Sequence, residues 1–206
     1  MIIAVDGPTA SGKGTIARAL AAHFHLPHLD TGLLYRAVGR QCALNHGNPD
    51  SAEDALDACD FPVSLLDDPD LRSETCGGLA SRVSVHHAVR QALYDRQRAF
   101  ALQPGGAVLD GRDIGTVIAP EAEVKLFVVA SVTARAERRF KEMQQAGRAV
   151  SLAEIAADLE ARDLRDRTRA EAPLVAAAAA VLLDTSDMAR DEAIAAAIRI
   201  AERTQR

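Results

Sequence analysis

The chain has 206 residues, is 48% hydrophobic and 26% charged, and carries a net charge of −5 at pH 7. These are the proportions of a folded protein with one sizeable core, and no apolar run reaches the length of a membrane-spanning helix. Overall acidity argues against a general nucleic-acid binder.

In chain order, residues 2–5 form an apolar strand, and residues 7–15 read Gly-Pro-Thr-Ala-Ser-Gly-Lys-Gly-Thr. A helical pattern then runs to Phe24 with Ile16, Leu20 and Phe24 on one stripe. Strand, glycine-rich loop and helix in that order build a phosphate cradle. Gly7 and Gly12 permit a close backbone approach, the loop N–H groups and the helix start face an anion, and Lys13 brings a mobile positive charge. A glycine-rich turn with a surface lysine would not need this spacing, so the segment predicts binding of a nucleoside triphosphate. Gly14 stands where many such loops carry a hydroxyl for Mg²⁺, and Thr15 is the next one available, for the metal or for a phosphate.

His23, His25 and His28 straddle a helix end and Pro27 without zinc spacing and are read as surface residues. The segment Leu29-Asp30-Thr31-Gly32 with Tyr35-Arg36 opens a second helix that ends near Leu44. It fits an N-cap with a solvated arginine as well as a functional role. Residues 45–80, with Pro49, Pro62, Pro69 and the Gly77-Gly78 pair, read as turns and short elements. Within them, residues 50–76 hold nine acidic side chains against Arg72, a net −8 that leaves +3 for the remainder and reads as a solvated face.

A helix over 81–102 ends at Pro104-Gly105-Gly106, and residues 107–109 form a strand followed by Asp110-Gly111-Arg112-Asp113. Asp-Gly is a common turn, yet two acids around an arginine at a strand's carboxyl end favour orienting a nucleotide group or metal-bound water. A strand over 124–130 leads to helices over 132–146 and 151–170, parted at Gly147, and a last strand covers 180–183. On the helix from 151, the apolar stripe of Leu152, Ile155, Ala156 and Leu159 continues in phase into Arg162, Asp166 and Arg169. That pattern fits a helix overhanging a cleft, or equally a helix leaving the core with charges paired in water. The short apolar runs, with His28–Leu29 as the fifth, are separated by helical stretches and predict a three-layer α/β fold with a parallel sheet and ligands at the carboxyl ends of its strands. Three scattered cysteines (Cys42, Cys59, Cys76) and no secretory signal predict free thiols and a cytoplasmic location.

Residues 7–15, Leu29-Asp30-Thr31-Gly32 with Tyr35-Arg36, the run Asp110-Gly111-Arg112-Asp113-Ile114-Gly115-Thr116, and residues 162–169 followed by Ala172-Pro173-Leu174 together resemble bacterial cytidylate kinases, which are P-loop nucleoside monophosphate kinases. The resemblance spans nearly the whole chain, with Thr31 where the family often has Ser and with a short, acidic 45–80 insertion. It implies transfer of the γ-phosphoryl of ATP to CMP or dCMP with Mg²⁺, in a P-loop fold with a five-stranded parallel sheet. It also implies one kinase domain with a core (1–30, 103–131, 171–206), a monophosphate-binding part (31–102) and a lid (132–170). Gly7, Pro8, Thr9, Ala10, Ser11, Gly12, Lys13, Gly14 and Thr15 would hold ATP, with Thr15 at the metal. Arg36, Arg112 and Arg169 would meet the acceptor phosphate, and Thr31 would also bind the acceptor. Arg162 and Asp166 would hold its sugar hydroxyls or neighbouring groups, and Ser81, Arg90 and Asp113 would read its base. Cytosine offers an amino donor beside ring acceptors, so a carboxylate with an arginine reads it, and uracil presents an oxygen to that carboxylate. Lys13, Arg112 and Arg169 would carry the chemistry, joined by lid arginines such as Arg138, Arg139 or Arg148, and the adenine is expected near Asp184-Thr185-Ser186. A monomer without nucleic-acid or membrane partners is expected. The rival readings are a P-loop kinase for another acceptor and an ATP-binding regulator that holds RNA on its arginine-rich arm.

Overall fold

The computed structural model describes residues 1–145 and 147–204. In chain order it comprises β1 (Ile2–Asp6), α1 (Lys13–Phe24), β2 (His28–Asp30), α2 (Thr31–Leu44), α3 (Ala52–Asp57), α4 (Glu74–Val83) and α5 (His87–Ala101). There follow β3 (Ala107–Gly111), β4 (Val124–Val129), α6 (Val132–Gln145), α7 (Leu152–Thr168), β5 (Val181–Asp184) and α8 (Arg190–Thr204). The five strands form one sheet in the order β2-β3-β1-β4-β5, with every neighbouring pair parallel.

Period-two alternation sorts the strand residues onto two faces. Ile3, Val5, Val108, Leu126 and Val128 turn to the side covered by α1 and α8, where Ile16, Leu20 and Ala197 are buried with them. Ile2, Ala4, Ala107 and Leu109 turn to the other side, where they meet Ala101 of α5 and Ile114 and Ile118 of a single π-type turn at Ile114–Ile118. The C-terminal helix and this turn are elements that the sequence reading did not identify. Edge strand β5 is covered less than expected: Leu183 is buried, but Leu182 is 63% exposed.

Two further apolar clusters lie outside the sheet. One joins α2, α3, α4 and α5 through Leu34, Val38, Ala55, Val83 and Leu93. The other is small, joining α6 to α7 through Ala136, Ile155 and Leu159, with Phe140 and Met143 against it. Leu152, expected on that stripe, is exposed.

The continuous helix expected over 81–102 is two helices with a break at 84–86, and Gly77-Gly78 lie inside α4 rather than in a turn. The Ser73 hydroxyl caps α4 by accepting the Cys76 N–H. Gly77, half of what looked like a turn signal, serves packing instead, whereas a Cβ on Gly78 would meet nothing within 4 Å. A Cβ on Gly77 would sit 3.1 Å from Arg36 Nη2 and 3.2 Å from Arg162 Nη1, so the bare backbone gives two guanidinium groups their place. Most of the acidic block is at the surface, where Asp50 pairs with Arg82, and Asp68 and Asp70 with Arg40. Glu74 departs from that description and turns inward.

Candidate active site

The carboxyl ends of β1, β2 and β3 deliver the loop at 7–12, Asp30 and Asp110 to one edge of the sheet. Close approach explains Gly7, where a Cβ would run into the Val128 carbonyl. Gly12 starts α1 with φ 88°, a left-handed conformation that glycine adopts without strain. Lys13 folds back so that Nζ donates to the Pro8 carbonyl at 3.4 Å. Burial, with Arg112 nearby, lowers its pKa to about 8.

Two cavities open on either side of this lysine, and Ala10, Lys13, Gly14 and Arg139 line both. The first, of about 220 Å³, takes in Thr31, Arg36, Ser81, Arg90, Asp113 and Arg169, among others. The second, of about 540 Å³, is built on the loop from Ala10 to Thr15 with Arg138, Thr185, Met188 and Arg190. Every residue that the sequence assigns to the acceptor lines the first cavity.

Arg112 is the joint between loop and arm. Its Nε donates to Asp166 Oδ2 at 2.7 Å and its Nη2 to Thr9 Oγ1 at 2.6 Å. Burial opposes the charge of Asp166, but Arg112, Arg169 and Arg162 outweigh it and hold the carboxyl below its usual range. Arg36 is oriented by the carbonyls of Leu71 and Ser73 at 2.7 and 2.9 Å. Arg162 donates to the Gly77 carbonyl at 3.2 Å, and burial with Arg112 and Arg36 close by lowers its pKa to about 10. Like charges crowded in this way form an anion site. Among the described residues, Arg162 Nε and Arg169 Nη2 are buried without a hydrogen-bond partner.

At the far end of the first cavity, Arg90 hydrogen-bonds Asp113 and lies 5.8 Å over the Tyr35 ring. Arg169 Nη2 is 3.8 Å from Asp113 Oδ1. The Ser81 hydroxyl accepts from Arg165 Nε at 3.1 Å. Tyr35 and Arg165 were quoted within motifs without a site role, and only the folded arrangement brings them here. Asp6, the last residue of β1, is 4% exposed and accepts the N–H groups of Ile114 and Gly115, both at 2.8 Å. It therefore ties the start of the glycine-rich loop to the segment that carries Asp113.

Three lid arginines were left open by the sequence. Arg138 donates to the carbonyl of Thr185 and to its hydroxyl, and so belongs to the second cavity. Arg148 lines neither of these two cavities and faces a side groove with Arg72 and Glu142. Arg139 borders both, and it pairs with Glu74, which also lies 3.8 Å from Arg162. Of the trio Asp184-Thr185-Ser186, Thr185 lines the second cavity, while Ser186 hydrogen-bonds Asp184 at 2.6 and 2.9 Å.

Asp110 is buried at the end of β3 with Oδ2 3.6 Å from where a Cβ on Gly14 would stand. His28 is not a free surface residue as the sequence reading had it: Nε2 lies 2.8 Å from Asp110 Oδ1, and the side chain is 17% exposed. His23 and His25 are exposed.

The sequence pattern of the cytidylate kinase family matches residues 3–203. A cytidylate kinase of Azorhizobium caulinodans is 53% identical over 205 residues, covering 100% of both chains. One from a Caulobacter species is 54% identical over 98% of this chain and 94% of its own. A third, from Cereibacter sphaeroides, is 55% identical over 98% of this chain and 96% of its own.

Proposed function

The chain belongs to the cytidylate kinase family, and from that premise we propose how its cleft transfers the γ-phosphoryl of ATP to CMP or dCMP, giving ADP and CDP or dCDP. The observation that carries the residue assignment is the pair of adjoining cavities that share Lys13 and Arg139. A donor in one and an acceptor in the other would meet at those two cations.

In this reading the loop from Gly7 to Thr15 holds the ATP phosphates, with Lys13 at the transferring group. Arg36, Arg112 and Arg169 take the acceptor phosphate. The like-charge crowding of Arg162 adds it to that grip, beyond the sugar contact expected of it with Asp166. Asp113, oriented by Arg90, accepts from the cytosine amino group, and Ser81 completes the base site. A phosphate monoester is already a nucleophile, so no side chain need act as a general base. The work of the site is in-line positioning and neutralisation of charge on the transferring group, for which Arg139 is the lid residue best placed.

The residues fit a magnesium ion held chiefly by phosphates and water. No cluster of three or more carboxylate, histidine or cysteine side chains among the described residues could cage a metal. The buried carboxylate of Asp110 against Gly14, with Thr15 adjacent, is the spare protein contribution such a site uses. When bound, the ion would supply positive charge to the phosphates. Asp110 and Thr15 would orient its waters, and Lys13 would keep the phosphates in line.

The reading includes a core at 1–30, 103–131 and 171–206, a monophosphate-binding part at 31–102 and a lid at 132–170, supported by the separate apolar clusters of these regions. It also includes a cytoplasmic monomer without nucleic-acid or membrane partners. No helix among the described residues is long and apolar enough to cross a membrane, and within the arm Arg135 pairs with Asp163 and Arg139 with Glu142. The test is ADP release with Mg-ATP and CMP, dCMP, UMP, AMP, GMP or no acceptor, in wild type and Asp113→Ala. Turnover confined to CMP and dCMP, with that confinement lost in the variant, is expected. Parallel loss of CMP and UMP turnover would reject Asp113 as the base reader.

A further inference from the structure

We propose that His28 is a positioning residue for the nucleotide-bound metal, holding Asp110 so that its second carboxylate oxygen faces the phosphate loop. The inference rests on the reading above in which Asp110 serves Mg²⁺.

The strand register makes the contact possible. His28 of β2 is paired with Val108 of β3, and Asp30 with Asp110. Successive side chains alternate between faces, so Asp110 lies on the face of Val108, the one that α1 covers. His28 reaches along that face and its Nε2 donates to Asp110 Oδ1 at 2.8 Å. The other oxygen is left directed at Gly14, on the first turn of α1.

A buried carboxylate beside a lysine has a competing arrangement. Lys13 lies near enough for Asp110 to act on its charge, and a carboxylate free to rotate could turn both oxygens to that ammonium. Lys13 would then be drawn from the phosphates and Asp110 from the metal. The imidazole prevents this by fixing one oxygen with a directional, charge-assisted hydrogen bond. The Thr31 hydroxyl, donating to the Asp110 carbonyl at 2.8 Å, fixes the backbone at the same residue. Partners of this kind set the orientation of a metal-binding carboxylate and typically change metal affinity by about ten- to a hundredfold when removed.

The experiment is calorimetric titration of ADP with and without Mg²⁺ into wild type, His28→Phe, His28→Gln and Asp110→Asn, with thermal melting as the check on folding. The readout is the ratio of the two ADP dissociation constants, which involves no turnover. His28→Phe should cut the Mg²⁺-dependent gain about tenfold while metal-free ADP and CMP binding stay within about twofold, and His28→Gln, which retains an N–H donor, should recover part of it. Should the phenyl ring prevent folding, His28→Leu is judged by the same ratio. An unchanged ratio in a folded variant without the donor overturns the proposal. Loss of the gain in Asp110→Asn alone would leave the metal reading standing and remove His28 from it. Retention of the gain in Asp110→Asn would overturn both.

Discussion

Asp6 shows how one side chain can be structurally necessary and electrostatically disfavoured together. Burial raises its pKa from 3.8 to about 6, against the two N–H groups of Gly115 and Ile114 that favour the charge. Because the folded value lies above the unfolded one, the native state binds the extra proton. The contribution to stability is full below pH 3.8 and is lost as pH rises through about 6. Two units correspond to about 3 kcal/mol at most. The stability difference between wild type and Asp6→Asn should therefore fall by up to that amount between pH 4 and 7, by denaturant unfolding at each pH; a constant difference would refute the shift. Asp6 is also a residue that the sequence did not single out. The spaced phosphate-loop and arginine motifs were legible because phosphate chemistry demands fixed residue types at fixed intervals. A lone aspartate, like His28, acquires meaning only from strand register, which a sequence without its pairing does not display.

At the scale of elements, the arm of α6 and α7 is pinned to the phosphate loop by Arg135. This buried guanidinium donates to Asp163 through two nitrogens, at 3.1 and 2.6 Å, and to the carbonyls of Thr9 and Ala130 at 3.1 and 2.9 Å. Arg135→Met would strand the Asp163 carboxylate in a buried site and should cost about 3–5 kcal/mol, whereas adding Asp163→Leu should recover much of it. Thermal or denaturant unfolding distinguishes the two, and a single variant no less stable than the double would refute the clamp. The stripe of α7 was legible in part. Ile155 and Leu159 enter the α6–α7 core, and Arg162 and Asp166 continue in phase to the cleft. The division of 74–101 into two helices was not legible. Gly77-Gly78 carry the local signature of a turn, and only the approach of Arg36 and Arg162 explains a small residue inside a helix.

For the molecule as a whole, the cross-cleft pair of Glu74 with Arg139 and Arg162 matters most. Its position in a run of nine acids made Glu74 look like one more solvated charge, and tertiary folding alone sets it apart. Glu74→Gln should free both arginines for the acceptor phosphate and lower the KM for CMP by up to about fivefold, the ~1 kcal/mol upper range of a partly exposed ion pair. Steady-state titration of CMP checks this, and an unchanged or higher KM would refute it. The overall α/β architecture was readable from five strand-sized runs, since local apolar periodicity survives without tertiary information. The first cavity is lined by seven cationic side chains and four anionic ones, and with the acceptor placed there as proposed, each turnover would leave a molecule more negative than the one that entered. Like an anion-exchange resin, such a cleft retains its product harder than its feed. Under the proposed reading Glu74 would act as a tethered eluent: a carboxylate displaced by the incoming nucleotide would stay attached beside Arg139 and Arg162, in place to reclaim them when the product leaves.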